Sequence, residues 1–171
     1  MAETIAQSLV EFFGDTIPAE LTIFIISLLP IVELRGGIIA AKLLGVGLVK
    51  AFIICYIANL IPVPFLILFI KKLSVYLKRI GPIRRVYEHF EKKAEKNRDK
   101  ILRYKQWGLL VFVAIPLPGT GAWTGSILAS LLEIPLKKAF PIIALGVFIA
   151  GLIMSLLMYG VIGSIFGAIL I

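Results

Sequence analysis

Apolar residues run along this chain in long uncharged blocks, and two of those blocks are interrupted at their centres. Ala51 to Ile70 is 20 residues without a charge, enough to cross a ~30 Å hydrocarbon core at ~1.5 Å per residue. Ala139 to Ile171 runs 33 residues without a charge. That exceeds one crossing, so a break is expected near Tyr159–Gly160. Glu20 to Leu44 is broken by Pro30 and by Glu33-Leu34-Arg35-Gly36-Gly37. Trp107 to Leu132 is broken by the run from Pro116 through Pro118, Gly119, Thr120, Gly121, Ala122, Trp123 and Thr124 to Gly125. About ten residues flank the first break on each side, roughly 15 Å or half a bilayer per arm. This pattern predicts a re-entrant hairpin, down as one half-helix and back as another, with its tip buried in protein.

The two broken segments are copies. Pro30 to Ile54 and Pro118 to Ile142 align at an offset of 88 residues, with 11 identities in 25 positions, among them Pro30/Pro118, Gly37/Gly125 and Lys50-Ala51-Phe52/Lys138-Ala139-Phe140. One full span separates the hairpins, so the first enters from outside and the second from the cytoplasm. The expected fold is an all-α integral membrane protein with an inverted-topology repeat. Each half is a re-entrant hairpin followed by a transmembrane helix, with a basic cytoplasmic amphipathic helix between the halves. As one membrane domain over 1–171, it divides into an interfacial helix (1–19), a first repeat (20–70), a basic linker helix (71–105), a second repeat (106–158) and a C-terminal apolar helix (159–171).

Composition agrees: 60% hydrophobic and 16% charged residues, with mean hydropathy +1.01, exclude an ordinary soluble domain. Charge sets the orientation. Residues 71–105 hold 13 of the 18 Lys/Arg against Glu88, Glu91, Glu95 and Asp99, whereas the first 20 residues hold four acids and no Lys or Arg. The positive-inside rule makes 71–105 cytoplasmic and the N-terminus external; the expected location is the plasma membrane of a prokaryote. Lys137 and Lys138 then fall inside, while Lys42 and Lys50 fall outside at a mild cost. The basic patch lies between membrane segments, so lipid headgroups and not nucleic acid are the expected partner. Gly163 and Gly167 are spaced for close helix contact, against a partner or against the chain's own spans, and a homo-oligomer, with a dimer favoured, is expected. No positive n-region or small-residue cleavage site opens the chain.

Glu33 and Arg35 are the only charges between Glu20 and Lys42. Ionisable residues at membrane depth are functional candidates by default. One reading makes Glu33 a proton-binding carboxylate whose charge state answers to burial and to Arg35. The other makes the two a buried pair that locks the tip. Arg35 offers a donor fork suited to phosphate or carboxylate, and Gly36 and Gly37 bring backbone N–H groups and a helix dipole beside it. Gly119, Thr120, Gly121, Trp123, Thr124 and Gly125 supply hydroxyls and approachable backbone in the second copy, unless the glycines serve only packing. His89 reads as a surface residue and Cys55 as a small apolar packing residue. No Ser/His/Asp set, His/Cys metal spacing or phosphate loop occurs, so neither catalysis nor a metal or other cofactor is expected.

The motifs PIVELRGG (Pro30 to Gly37) and PLPGTGAWTG (Pro116 to Gly125), with the charged linker between them, resemble the putative small multidrug export protein family. That family looks like a branch of the wider DedA/VTT-type membrane protein superfamily. The resemblance implies re-entrant hairpins, an embedded acid and arginine at Glu33 and Arg35, and ion-gradient-dependent translocation of lipid or polyprenyl phosphate. DedA proteins usually carry a second acid after Pro-Gly, where this chain has Thr120. The expected activity is a small, ion-coupled transporter or flippase for an amphiphilic anion. Export of cationic drugs and a non-transporting membrane scaffold are the alternatives.

Overall fold

A computed structural model describes Ser8, Val10 and residues 17–77, 98–117 and 119–160. Most of the expected interfacial helix over 1–19, most of the basic linker, the Pro118 break and the apolar tail beyond Gly160 therefore lie outside the described residues. All secondary-structure elements among them are helices: α1 (Ala19–Leu28), α2 (Glu33–Leu43), α3 (Leu48–Leu60), α4 (Pro62–Leu77), α5 (Arg98–Ala114), α6 (Ala122–Leu131) and α7 (Leu136–Tyr159).

Proline and glycine set the boundaries. α1 starts after Pro18, whose carbonyl takes the N–H groups of Leu21 and Thr22, and it stops two residues before Pro30. Pro62 has no N–H to donate, so the apolar stretch Leu48–Leu73 divides at Ile61 into α3 and α4. α5 runs unbroken through positions 105 and 106 and ends two residues before Pro116. α7 ends at Tyr159, with Gly160 as its cap.

The two copies terminate their second helices identically. At the end of α2, Gly45 N–H bonds Lys42 O and Val46 N–H bonds Ala41 O; 88 residues on, Glu133 N–H bonds Ser130 O and Ile134 N–H bonds Ala129 O. Each turn needs a left-handed residue, and Gly45 (φ 70°) and Glu133 (φ 59°) supply it. Glycine takes that conformation freely, whereas glutamate does so at ~1 kcal/mol.

Packing couples the copies. α1 lies on α2 and α5 on α6, each joined by a short connection, while α7 touches α2, α3 and α5. Small residues allow close approach. A Cβ at Gly125 would lie 2.6 Å from Val113 Cγ2, and one at Gly151 would lie 2.8 Å from Phe52 Cε2. The interior is apolar: Ile23, Ile26, Leu34, Ile38, Val63, Ile67, Leu109, Val113, Ile143 and Val147 are buried. So is the outside. Phe65 and Leu156 are each 71% exposed, and a surface this rich in large apolar side chains suits lipid rather than water.

Glu20 pairs with Lys50 at 2.6 Å, Lys42 sits over the Tyr159 ring at 5.0 Å, and the Tyr159 hydroxyl donates to Val46 O at 2.7 Å. These contacts gather the open end of α1/α2 beside the C-terminus of α7. Lys105 Nζ bonds Leu132 O, and Ser130 Oγ bonds Ile67 O. The open end of α5/α6 thus lies beside the N-terminus of α7, 24 residues or ~36 Å away along that helix.

Candidate functional site at the junction of the two helix pairs

Glu33 opens α2 with φ 52°, a left-handed backbone that non-glycine residues seldom adopt. A strained residue at a buried tip motivates a search for function there. Its carboxylate crosses to the other helix pair and accepts from two backbone N–H groups at the start of α6, Ala122 (Oε2, 3.2 Å) and Trp123 (Oε1, 3.2 Å). Those groups have no partner within their helix, and the positive end of the α6 dipole favours an anion there. Only 5% of Glu33 is exposed.

Arg35 reaches the other arm of the same pair. Its guanidinium donates to the Leu117 carbonyl, to Ile115 O at 3.4 Å and to Thr120 Oγ1 at 3.1 Å. These carbonyls follow the C-terminus of α5, the negative end of a helix dipole. Thr120 Oγ1 lies 2.7 and 2.8 Å from the carbonyls of Ile115 and Leu117, which steadies the cluster. Glu33 and Arg35 form no ion pair within 4 Å and so do not neutralise each other by direct contact. Each instead meets the helix end of opposite sign.

Trp123 answers in the reverse direction. It stands 88 residues after Arg35, and its indole N–H donates to Leu28 O at 3.2 Å, at the end of α1. Each helix pair thus sends one donor into the end of the other pair's first arm.

The glycines divide by role. A Cβ at Gly121 would collide with the Glu33 carboxylate, although its backbone (φ −102°, ψ −157°) suits any residue. Gly121 leaves room for the acid. Gly37 and Gly125 serve helix contact, Gly37 against Ser27 and Cys55. The Gly36 N–H is taken by Val32 O at 3.0 Å. Gly119 (φ 84°) is exposed and turns the chain, and Thr124 Oγ1 bonds back to Gly121 O at 3.3 Å. Pro30 is exposed and Pro116 half-buried in the two breaks.

One site residue escapes sequence reasoning. Asn59 of α3 is 2% exposed, and its Oδ1 has no hydrogen-bond partner. It lines, with Glu33, Arg35, Gly121, Val113 and Val147, an internal space of about 10 Å³, roughly one water in size. An amide within an apolar span was the available signal, but its repeat counterpart is Val147, so the internal comparison did not mark it. Among the described residues no cluster of His, Cys, Asp or Glu could hold a metal ion.

Among the described residues every element is a helix, two helices are long and apolar enough to cross a bilayer, and an apolar exterior surrounds a charged junction, which fits a membrane protein. The chain belongs to the family described as Putative small multi-drug export protein, which matches residues 33–153. Neither the curated proteins nor the solved structures include a match.

Proposed function

We propose that the chain is a small membrane transporter or flippase, driven by an ion gradient, that moves an amphiphilic anion such as a lipid or polyprenyl phosphate. The observation that carries this reading is the Glu33 carboxylate, buried at the junction of the two helix pairs and held on the N–H groups of Ala122 and Trp123. A titratable acid seated on an anion-binding helix end joins proton chemistry to anion chemistry at one point. Arg35 is the fixed positive charge beside it.

Several contacts support an inverted repeat of re-entrant hairpins around this junction. Tyr56 bonds Ala144 and Glu33 abuts Gly121, each pair separated by 88 residues, as expected of counterparts beside a pseudo-twofold axis. The two pairs open toward opposite ends of α7. The likeness to DedA/VTT-type proteins points the same way. In this reading the basic linker faces the cytoplasm of a prokaryotic cell, the N-terminus is external, and a homodimer in the bilayer is the working unit.

The family description favours a second reading, export of cationic amphiphiles with Glu33 as the binding charge. Arg35 and the α6 N-terminus stand against a cation at that position. A scaffold role would use the same hydrogen bonds only to hold the halves together.

Reconstitution in liposomes separates the three. Under an imposed proton gradient, the parent protein should move a polyprenyl phosphate across the bilayer. Glu33→Gln should abolish that movement while unfolding within ~1 kcal/mol of the parent, the scale of a capping interaction. Arg35→Lys should weaken binding, because the charge remains and the fork is lost. Efflux of hydrophobic cations with no lipid-phosphate movement would select drug export. A Glu33→Gln protein that fails to fold would select the scaffold.

A further inference from the structure

We propose that Glu33 is a proton-operated occupant of an anion site at the start of α6, and that Asn59 receives its carboxyl group when it leaves. This deepens the transport reading above and rests on it.

Ala122 and Trp123 N–H already bind one carboxylate, that of Glu33. A substrate anion needs the same donors, so ionised Glu33 and the anion exclude each other. Charge balance gives the direction of coupling. With Glu33 ionised, the site holds one negative charge beside Arg35 and the α6 N-terminus. Removing that charge alone would leave the half-buried Arg35 without a compensating anion. One proton on Glu33 together with one bound monoanion restores the balance. The proton forms an O–H bond on the carboxylate, and the N–H donors pass from Glu33 to the anion. Proton and anion therefore bind together, one to one.

A protonated carboxyl must donate its new O–H. An ionised carboxylate and an amide oxygen are both acceptors and have nothing to exchange. Asn59 Oδ1 is buried and unpartnered, and Asn59 lines the water-sized space that Glu33 also lines. It is an acceptor waiting for a donor, reached directly or through one water. Its counterpart Val147 cannot take that role, so the switch is built into one copy of the repeat.

No other charged group near Glu33 competes. α1 has no titratable residue beyond Glu20, which pairs with Lys50 at the open end. On α3, Cys55 packs against Gly37, and the Tyr56 hydroxyl bonds Ala144 O. Past Lys105, α5 has no titratable residue, α6 has none, and α7 has none between Lys138 and Tyr159. Arg35 is the one charge at the site.

The test is binding to the purified full chain in nanodiscs by calorimetry. Decanesulfonate serves as the first probe, since its charge is fixed across the pH range. For the parent protein, Kd should fall about tenfold for each unit of pH lowered across the titration of Glu33. Glu33→Gln should bind at every pH with the affinity the parent reaches at its acid limit. Asn59→Val should bind about tenfold more weakly than the parent at that limit, the loss of one hydrogen bond. A pH slope that survives in Glu33→Gln, or weaker binding by that variant at all pH, would overturn the switch. Unchanged affinity in Asn59→Val would overturn the role of Asn59. Decyl phosphate binding at least tenfold tighter than inorganic phosphate would assign a lipid headgroup; equal affinities would overturn that assignment in favour of a free anion. Gradient-driven transport with pH-flat binding would sink the switch and keep the transporter, and pH-linked binding without transport would do the reverse.

Discussion

The Tyr56 hydroxyl donates to the carbonyl of Ala144 at 3.2 Å, and Ala144 is the residue that occupies Tyr56's own position in the second copy, 88 residues on. In the inverted-repeat reading proposed above, a residue meets its own counterpart close to the axis relating the copies. Glu33 and Gly121 form a second such pair. The internal space lined by Asn59 and by Val147, also counterparts, lies with them. The candidate site is thus built where the two copies meet, and it is asymmetric there: acid against glycine, amide against valine.

Tyr56→Phe removes the bond to Ala144 and keeps the ring contacts with Phe52 and Phe148. The expected loss is about 1 kcal/mol, the ordinary worth of one such hydrogen bond. Thermal unfolding in detergent measures it. An unchanged melting temperature would mean that the hydroxyl contributes nothing to the joining of the copies.

Gly121 and Gly45 should fail for different reasons when changed to alanine. At Gly45 nothing lies within 4 Å of the added Cβ, and the cost is the left-handed backbone, about 1 kcal/mol. At Gly121 the backbone is ordinary and the Cβ strikes the Glu33 carboxylate, an overpacking cost of about 1–3 kcal/mol. Only Gly121→Ala should change activity. In a double-mutant cycle, Glu33→Ala should relieve most of the Gly121→Ala cost; simple additivity of the two losses would contradict the contact.

Thiol accessibility tests the orientation of the helix pairs. In a Cys55→Ala background, cysteines at Leu21 and Leu43, both about half exposed, should react with an impermeant reagent from the outer side of intact cells. A cysteine at Leu131, 63% exposed, should react only from the inner side. Labelling of Leu21 and Leu43 from opposite sides would make the first broken segment a full crossing.

Lys50 holds the Glu20 carboxyl below the usual carboxylate range, first through their hydrogen bond and then through its charge. A folded-state value below the unfolded one stabilises the fold above the unfolded value, and that gain is lost as pH falls through the folded value. Lys50→Ala should therefore lower the melting temperature slightly at pH 7 in low salt, with the difference closing in acid below the ordinary carboxylate range. The effect is small because the pair is exposed. A difference that persists unchanged in acid would assign it to packing.

The elements of this fold were legible in the chain because bilayer thickness and proline chemistry are local constraints. Length and hydropathy marked spans over Ala51–Ile70 and from Ala139 to a break near Tyr159, prolines marked where α1 and α5 stop, and the 88-residue offset pairs Gly45 with Glu133. Glu33 and Arg35 stood out because charge in an apolar segment is costly wherever it lies. Their partners did not, because sequence proximity suggested a pair with each other, whereas the two reach helix ends 80 to 90 residues away. Which N–H groups lack a partner depends on where a helix begins, and which helix end faces the acid depends on how two pairs pack. Asn59 was silent for the same reason. An amide in an apolar span becomes part of a site only when its Oδ1 is left unpartnered beside a buried carboxylate, and that is decided by tertiary contact between α2, α3 and α6.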